Sequence, residues 1–367
     1  MEILQVNKKL LKDFINIADS LYKEDNNYVP YMRADLKKTL NKLLFEDKTY
    51  FALLAKDNGE TLGRVLVTVA KNKQLNNELC GFFSMFECVN NQIACNALLD
   101  KAAEISKAHG ANYICGTYFP YDQDNRRGIL VQGFDRAPLI FTSYNKPYYD
   151  ALLSNYGMTK QADTYEYTLD LKTVDYERLE KIDVYSKSKF GFHVDTVDFN
   201  NLDRDIRDVQ QVMERATTDI IYQDAPDVAA LNGIVKQWKN YLVADYILIA
   251  RKNDDNTPIG VVIALPDFFE VFKKMNGKTD LKGIIAFVKA KKHIKSARAI
   301  MQYVLPQYQK YGVAISLYNQ MGKAFKHNKV EYVELGTIME NNTDSNSAIV
   351  AIGGKIARIY RIYEKRI

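Results

Sequence analysis

Several features that mark common classes of protein are scarce in this chain of 367 residues. Only four cysteines occur, none of them in a CxxC pair, and the four histidines are scattered. A zinc site needs closely spaced ligands, so we expect no bound metal. Each cysteine lies in or beside an apolar stretch, which predicts buried free thiols and suits a reducing cytoplasm: Cys80, Cys88, Cys95 and Cys115.

Long apolar runs are also missing. No run reaches the roughly 18 residues that a membrane span requires, and the N-terminal residues carry charges throughout, unlike a signal peptide. We therefore expect a cytoplasmic protein with no membrane partner. The 50 basic and 45 acidic residues leave a net charge of only +5, and this mild balance argues against a nucleic-acid partner.

The overall composition is typical of a folded globular protein. Apolar residues make up 47% and charged residues 26% of the chain. A length of 367 residues favours two domains over one. The polar stretch at residues 173–189 is the predicted linker, which places an N-terminal domain at 1–172 and a C-terminal domain at 190–367.

A repeat supports this division. Two segments, Tyr50–Ala70 and Tyr246–Pro266, each contain an aromatic residue, an apolar run, a polar turn with Asp and Asn, and a glycine before β-branched residues. These glycines are Gly63 and Gly260. The pattern is typical of a β-hairpin with a short loop.

A second pair of blocks follows the hairpins in the same order. Gly81–Val89 and Arg298–Pro306 read as buried strands, each followed by a helical stretch and then by a further strand at Tyr113 and Tyr332. Each half therefore predicts helix, hairpin, strand, helix and strand, an α+β layered fold. The second copy carries an insertion at Asp267–Ser296.

The stretch between strand and helix in the second copy has the features of an anion site. Residues 304–318 read VLPQYQKYGVAISLY, so that a strand ends at Pro306 and small residues open the next helix. Small residues let a ligand approach the backbone, and free amides at a helix N-terminus bind phosphate groups. The alternative is a simple strand-to-helix turn that needs Gly312 as a break.

Gln309 to Ala314 fits the Q/R-x-x-G-x-G/A motif and thereby resembles the GNAT superfamily of N-acetyltransferases. The resemblance implies two tandem domains, each with a mixed, mostly antiparallel sheet flanked by helices. It also implies that acetyl-CoA or another acyl-CoA is the co-substrate, with its diphosphate on this loop and its pantetheine arm along the preceding strand. The implied cofactor-binding residues are Tyr303, Val304, Leu305, Gln309, Lys310, Tyr311, Gly312, Val313, Ala314 and Asn342. The equivalent N-terminal stretch, VNNQIACNALLD from Val89, lacks the motif and any glycine.

The catalytic residues of that family are not all matched. The strand before the loop holds no Asp or Glu, so the candidate bases are Glu334 and Glu340 on the next strand or Asp267 after the hairpin. The tyrosine that the family uses as an acid is missing near Ile349, and Tyr360 on the final strand is a candidate substitute. Each of these residues is equally compatible with a structural or surface position.

Two further segments are unusual. Residues 118–149 are rich in tyrosine and resemble a segment of bacterial tandem GNAT-like proteins, with a GF-x-x-x-P core at Gly133 and a YN-x-P-YY core at Tyr144. They form either a binding surface or a loop that packs on its own domain with its hydroxyls outward. The segment from Lys273 to Arg298 is basic. It contacts the phosphate groups of CoA, contacts an acidic acceptor, or forms a solvated helix face.

Two functional hypotheses follow. The first is an acyltransferase, and the resemblance implies N-acetyltransferase activity. Such an enzyme moves an acyl group from acyl-CoA to an amine-type acceptor, either a small molecule or a peptide. The tandem architecture also resembles peptidoglycan aminoacyl-transferases, although the weak basic balance argues against a tRNA donor. The second is a non-catalytic module that binds CoA or a partner.

Overall fold

A computed structural model of the chain describes residues 1–75, 77–118, 127–217, 225–238, 241–278, 280–291 and 293–367. The chain forms two compact units that are not consecutive halves. Unit 1 consists of Met1–Thr164, Phe269–Lys292 and Arg358–Ile367, and unit 2 of Tyr165–Phe268 and His293–Ala357. The insertion and the final strand, both predicted for the C-terminal domain, thus lie largely in unit 1.

Unit 1 contains a mixed sheet with helices. In chain order its elements are β1 (Glu2–Gln5), α1 (Leu11–Leu21), α2 (Arg33–Asn41), β2 (Phe51–Asp57), β3 (Glu60–Leu75), β4 (Glu78–Cys88), α3 (Gln92–Ala108), β5 (Tyr113–Gly116), β6 (Ile129–Gln132), α4 (Tyr149–Asn155), the start of β7 (Thr159–Leu169), then α8 (Phe269–Met275), α9 (Leu281–Lys291) and most of β13 (Lys355–Arg366). The sheet order is β1-β2-β3-β4-β5-β13, with β6 also on β13. Among the strand pairs of this unit for which the described residues give a register, β4–β5 is parallel and the others are antiparallel.

Unit 2 repeats this arrangement. Its elements are the end of β7, α5 (Tyr176–Phe190), β8 (Phe192–Thr196), α6 (Leu202–Ala216), α7 (Val228–Trp238), β9 (Ile247–Lys252), β10 (Pro258–Pro266), β11 (Ser296–Val304), α10 (Val313–His327), β12 (Tyr332–Met339) and α11 (Thr343–Ala351). The sheet order is β7-β12-β11-β10-β9-β8. The β11–β12 pair is parallel, as its counterpart is in unit 1. The predicted α+β layered fold and the predicted order of hairpin, strand, helix and strand are confirmed in both copies.

The two repeat glycines have the same structural task. A Cβ atom at Gly63 on β3 would lie 2.7 Å from Leu98 of α3, and one at Gly260 on β10 would lie 2.9 Å from Val313 of α10. Each glycine therefore lets the helix that follows the long strand pack closely on the sheet. The first hairpin turns through Asn58 and Gly59, whose φ values are 47° and 87°, as a two-residue hairpin requires.

Residues 173–189, predicted as a linker, lie almost entirely within helix α5. The face that α5 buries is largely polar, with Asp183 and Ser186 beside Leu179. Asp183 accepts a hydrogen bond of 3.0 Å from Asn319 of α10. Because α5 packs on α10 through polar groups, it lacks the apolar stripe by which an amphipathic helix is recognised in a sequence.

The cores are apolar and belong to each unit separately. In unit 1, strands β2 to β4 pack on α3 through residues such as Leu53, Phe83 and Leu98. In unit 2, β9 to β12 pack on α10 through residues such as Leu248, Val262 and Leu317. The four cysteines are buried free thiols, as predicted. Within the described ranges, no helix has both the length and the apolar character needed to cross a bilayer.

Candidate functional site

The loop between β11 and α10 in unit 2 brings most of the predicted cofactor-binding residues together. Tyr303 and Val304 are buried at the end of β11 and pair with Val261 and Gly260 of β10. The register between β11 and β12, as the described residues show it, ends at Ala299 and Leu335. The end of β11 therefore keeps an edge on which an extended ligand chain can lie.

Helix α10 begins without a side-chain cap. Gly312 occupies the N-cap position with a φ of 76°, and no side chain there accepts a hydrogen bond from the first turn. The first amides of a helix have no partner within the helix, and the helix dipole favours an anion beside them. The exposed side chains of Gln309 and Lys310 precede this turn, so the donor set fits a diphosphate.

Gly312 also has a packing role. A Cβ atom at this position would lie 2.1 Å from the Ser186 hydroxyl of α5, and its positive φ is strained for other residues. Tyr311 stacks on Phe190, with ring centroids 4.4 Å apart. A glycine is thus required here by the fold itself, whether or not a ligand binds.

The other predicted residues belong to other elements of the fold. Asn342 caps helix α11 by accepting a hydrogen bond of 3.1 Å from the Ser345 amide. Glu340 is half-buried just after β12, and its carbonyl accepts from Asn346. Asp267 is buried, and its amide donates to the Ser296 carbonyl. Tyr360 is a fully buried residue of β13 in unit 1, opposite Leu130 of β6.

Glu334 belongs to a buried charged cluster in unit 2. It is fully buried, lies opposite Arg298 in the β11–β12 register and accepts a hydrogen bond of 2.6 Å from the Tyr332 hydroxyl. Arg298 in turn donates to both carboxylate oxygens of Glu166, at 2.8 and 3.1 Å, and to the Gly336 carbonyl at 2.7 Å. These bonds satisfy the buried guanidinium group of Arg298.

The equivalent turn in unit 1 is closed to an anion. Helix α3 is capped by Asn91, whose side-chain oxygen accepts hydrogen bonds from the amides of Ile93 and Ala94 at 2.9 and 3.1 Å. The side-chain oxygen of Asn91 therefore takes the place that a phosphate oxygen occupies at an open helix N-terminus.

A cavity of about 80 Å³ in unit 1 contains a carboxyl group that the sequence did not single out. Glu87 of β4 is buried, and its Oε2 atom accepts hydrogen bonds from the hydroxyls of Tyr22 and Tyr149, at 2.8 and 2.7 Å. Its Oε1 atom lies 3.5 Å from Arg64. Tyr28, Ser84 and Tyr144 also line the cavity.

Burial raises the pKa of Glu87, while Arg64 and the two tyrosine hydroxyls act in the opposite direction. Arg64 is held by backbone carbonyls, among them that of Phe14 at 2.6 Å, so it is a fixed charge beside the carboxyl group. Within the described residues, no hydrogen bond is formed by the Tyr28 hydroxyl, which leaves it able to bind a ligand. A carboxyl group with a raised pKa on a cavity wall suits proton transfer.

The tyrosine-rich segment forms part of this site, apart from residues 119–126, which lie outside the described residues. The Tyr148 hydroxyl donates to the Cys88 carbonyl at 2.9 Å, and the Tyr149 hydroxyl accepts from the Cys88 amide at 3.0 Å. Asn145 bonds the backbone of Leu130 at both its amide and its carbonyl. Of the two alternatives, the segment therefore packs on its own unit, but these hydroxyls point inward and not outward.

One signal for the cavity is present in the sequence. A carboxylate on the strand before the loop is a common position in the GNAT family, and Glu87 occupies that strand in the first copy. The partner groups at Tyr22, Arg64 and Tyr149 come from three distant segments, and no sequence spacing brings them together.

Comparisons with known proteins extend over the whole chain. No family model matches. Protein YghO of Escherichia coli is 25% identical over 378 aligned positions, which cover 99% of this chain and 94% of that protein. A protein named bacterial ceramide synthase from Caulobacter vibrioides is 23% identical, with 97% of this chain and 94% of that protein covered.

Solved structures match the fold. A tandem GNAT protein from the clavulanic acid biosynthesis pathway has a TM-score of 0.56 at 12% identity, with 100% of this chain and 98% of that chain covered. A GCN5-related N-acetyltransferase from Sphaerobacter thermophilus has a TM-score of 0.53 at 10% identity, with 100% and 95% covered. A fungal glucosamine N-acetyltransferase region gives 0.60 at 15% identity, and this chain spans 38% of that longer chain. The chain therefore has the tandem GNAT fold.

Proposed function

We propose that this protein is an acyltransferase that moves an acyl group from acyl-CoA to the nitrogen of an amine-type acceptor. The observation that carries the proposal is the uncapped N-terminus of α10, which directly follows the edge of β11 in a GNAT fold. The amides from Gly312 to Ala314 hold the CoA diphosphate, and Gln309 and Lys310 add polar and positive groups beside it. Residues 303–305 lie along the pantetheine arm.

We propose further that the cavity of unit 1 binds the amine of the acceptor. Glu87 offers a carboxyl group, Tyr28 offers a free hydroxyl, and the surrounding tyrosine rings favour a cation. A water molecule needs about 10–15 Å³ of such space, so the cavity accommodates a small polar head group and not a long chain. A carboxyl group of raised pKa accepts a proton from an ammonium group more readily than an ordinary one.

The relative named bacterial ceramide synthase favours one class of acceptor. A ceramide is the amide of a fatty acid and a long-chain amino alcohol. We therefore propose a long-chain amino alcohol as acceptor and a fatty acyl-CoA as donor. Glu334 and Glu340, the earlier candidates for the base, lie in unit 2, where Glu334 is part of a buried charged cluster.

The donor site is tested by calorimetric titration with acetyl-CoA and with a fatty acyl-CoA. Lys310→Glu places a negative charge before the α10 turn without disturbing Gly312, and we expect it to weaken binding by about tenfold. Lys236→Glu, which reverses an exposed charge on α7, should bind as the wild type does. Thiol release from the acyl-CoA in the presence of the amino alcohol then measures transfer.

Three results would contradict the proposal at different points. A folded wild type that binds no acyl-CoA removes the donor site. Equal binding by the Lys310 variant places the donor elsewhere. Binding without thiol release supports a CoA-binding module in place of an enzyme.

A further inference from the structure

Helix α9 in unit 1 exposes an aliphatic stripe. Leu281, Ile284, Ile285 and Val288 retain 74%, 51%, 47% and 57% of their surface. Their spacing of three, four and seven residues places them on one helical face about 100° wide. Single exposed apolar residues are common on proteins, whereas a continuous stripe of four marks an interaction surface.

The helix is fixed in place by its other face. Gly283 and Ala290 are buried, and Asp280 caps the helix by accepting from the Gly283 amide at 2.8 Å. The turn before the helix is held to the N-terminal part of unit 1, since the Gly277 carbonyl accepts from the Arg33 amide at 3.1 Å. The stripe is thus exposed although the opposite face of the helix is packed against the protein.

Positive charge is concentrated around the stripe. Residues 269–292 contain seven lysines against Glu270 and Asp280, an excess equal to the net charge of +5 of the whole chain. Lys282 and Lys289 are exposed on α9, and at 100° per residue they flank the stripe on one side. Lys274 and Lys278 are exposed on the segment that precedes it.

We propose that α9 docks this protein on the surface of an anionic lipid bilayer. The aliphatic stripe enters the boundary between head groups and acyl chains, and the flanking lysines contact the anionic head groups. A bilayer fits better than a protein partner because the exposed stripe has only aliphatic side chains and lacks the Trp, Tyr and Arg anchors that dominate protein interfaces. This proposal replaces the expectation of no membrane partner and goes beyond the acyl transfer proposed above.

The docking helix is connected to the cavity wall. Helix α8, which precedes α9, begins at Phe269, and this residue lines the Glu87 cavity. In a protein docked through α9, the lipid-contacting helix directly follows the helix that supplies Phe269 to the cavity wall. An acceptor with a long apolar chain is a molecule that resides at such a surface.

Flotation of the purified full chain with lipid vesicles tests the proposal. We expect binding to vesicles of phosphatidylcholine with about one third phosphatidylglycerol, and about tenfold weaker binding to phosphatidylcholine alone. The double variant Ile284→Gln/Val288→Gln should lose about tenfold in affinity for the anionic vesicles. Lys282→Gln/Lys289→Gln should bind both kinds of vesicle equally weakly.

A matched control removes exposed apolar residues elsewhere. Ile93→Gln/Val184→Gln changes side chains that are 72% and 59% exposed outside α9, and it should float as the wild type does. Absence of wild-type flotation with anionic vesicles, or unchanged flotation of the α9 variant, overturns the proposal. The proposal is also overturned if the wild type self-associates in sedimentation, the α9 variant does not, and vesicles have no effect on either. That result assigns the stripe to contact with a second copy of the chain. Binding of acyl-CoA is measured separately, so failure of docking is distinguished from failure of the donor site.

Discussion

Glu87 is a buried carboxyl group on the wall of the candidate cavity. Two tyrosine hydroxyls donate to one of its oxygens, and a guanidinium group that is already bonded to backbone carbonyls lies near the other. Burial still raises its pKa. The carboxyl group therefore costs folding energy when it is charged, which is typical of groups kept for function.

This cost gives a pH dependence with a definite sign. The folded pKa of Glu87 lies above the unfolded value of about 4.3, so the folded state binds the proton more tightly. Its contribution to stability is complete below the unfolded pKa and is lost as the pH rises through the folded pKa. Because glutamine does not ionise, we expect the free energy of unfolding of Glu87→Gln, relative to the wild type, to increase between about pH 4 and neutral pH. Urea unfolding at a series of pH values measures the difference.

Glu24→Gln is the control, since Glu24 is exposed in the same unit and should show no comparable trend. A constant difference between Glu87→Gln and the wild type at all pH values would refute the pKa argument. In kinetic assays the same variant should raise the KM for the amine acceptor and leave acyl-CoA binding unchanged. A loss of acyl-CoA binding in its place would argue against the cavity as the acceptor site.

At the level of secondary structure, helices α3 and α10 are corresponding elements that begin differently. The first is closed by the Asn91 side chain, and the second begins at an uncapped glycine. Both pack on their sheets past a repeat glycine. The fold therefore preserves the packing of the helix in both copies, while the chemistry of its N-terminus is decided by one or two residues.

Asn91→Ala should lower the free energy of unfolding by about 1 kcal/mol, because two amides of α3 lose their acceptor. Asn91→Asp is the matched variant: it keeps an acceptor and adds a negative charge at a helix N-terminus, so it should retain wild-type stability. Chemical denaturation of the three proteins gives the comparison. Equal stability of the alanine variant and the wild type would show that water replaces the cap.

The whole molecule is organised by strands that are distant in the sequence. Unit 1 takes its strand β13 from the end of the chain, where Tyr363 lies opposite Gly116 of β5 and Tyr360 lies opposite Leu130 of β6. Arg361 of the same strand forms an ion pair with Asp163 at 2.8 Å. The first 164 residues therefore do not contain all the strands of their own sheet.

Removal of residues 358–367 should unfold unit 1, because buried side chains of β13 and the strand partners of β5 and β6 are lost. Hydrogen exchange measured by mass spectrometry should show loss of protection at residues 113–116 and 129–132. Arg366→Gln, which changes an exposed side chain near the end of the same strand, is the control. Retained protection of β5 in the longer deletion would show that unit 1 does not need β13.

Most elements of the fold could be predicted because their signals are local. The hairpins follow from alternation and turn residues around Gly63 and Gly260, and helix α10 from its apolar periodicity. The sequence predicts a linker at residues 173–189, where the structure has helix α5, because the buried face of this helix is polar. The predicted phosphate turn is a local motif, whereas the two tyrosines that donate hydrogen bonds to Glu87 lie 65 and 62 residues away from it in sequence.

The sequence by itself determined the class of fold, the duplication and the motif from Gln309 to Ala314, since these depend on periodicity and short-range chemistry. Only the tertiary structure decided which segments form each unit, which tyrosine hydroxyls meet Glu87 and which face of α9 stays exposed. The physical reason is that strand partners, buried hydrogen bonds and exposure depend on contacts between distant segments. Local pattern predicts an element, and packing decides its neighbours.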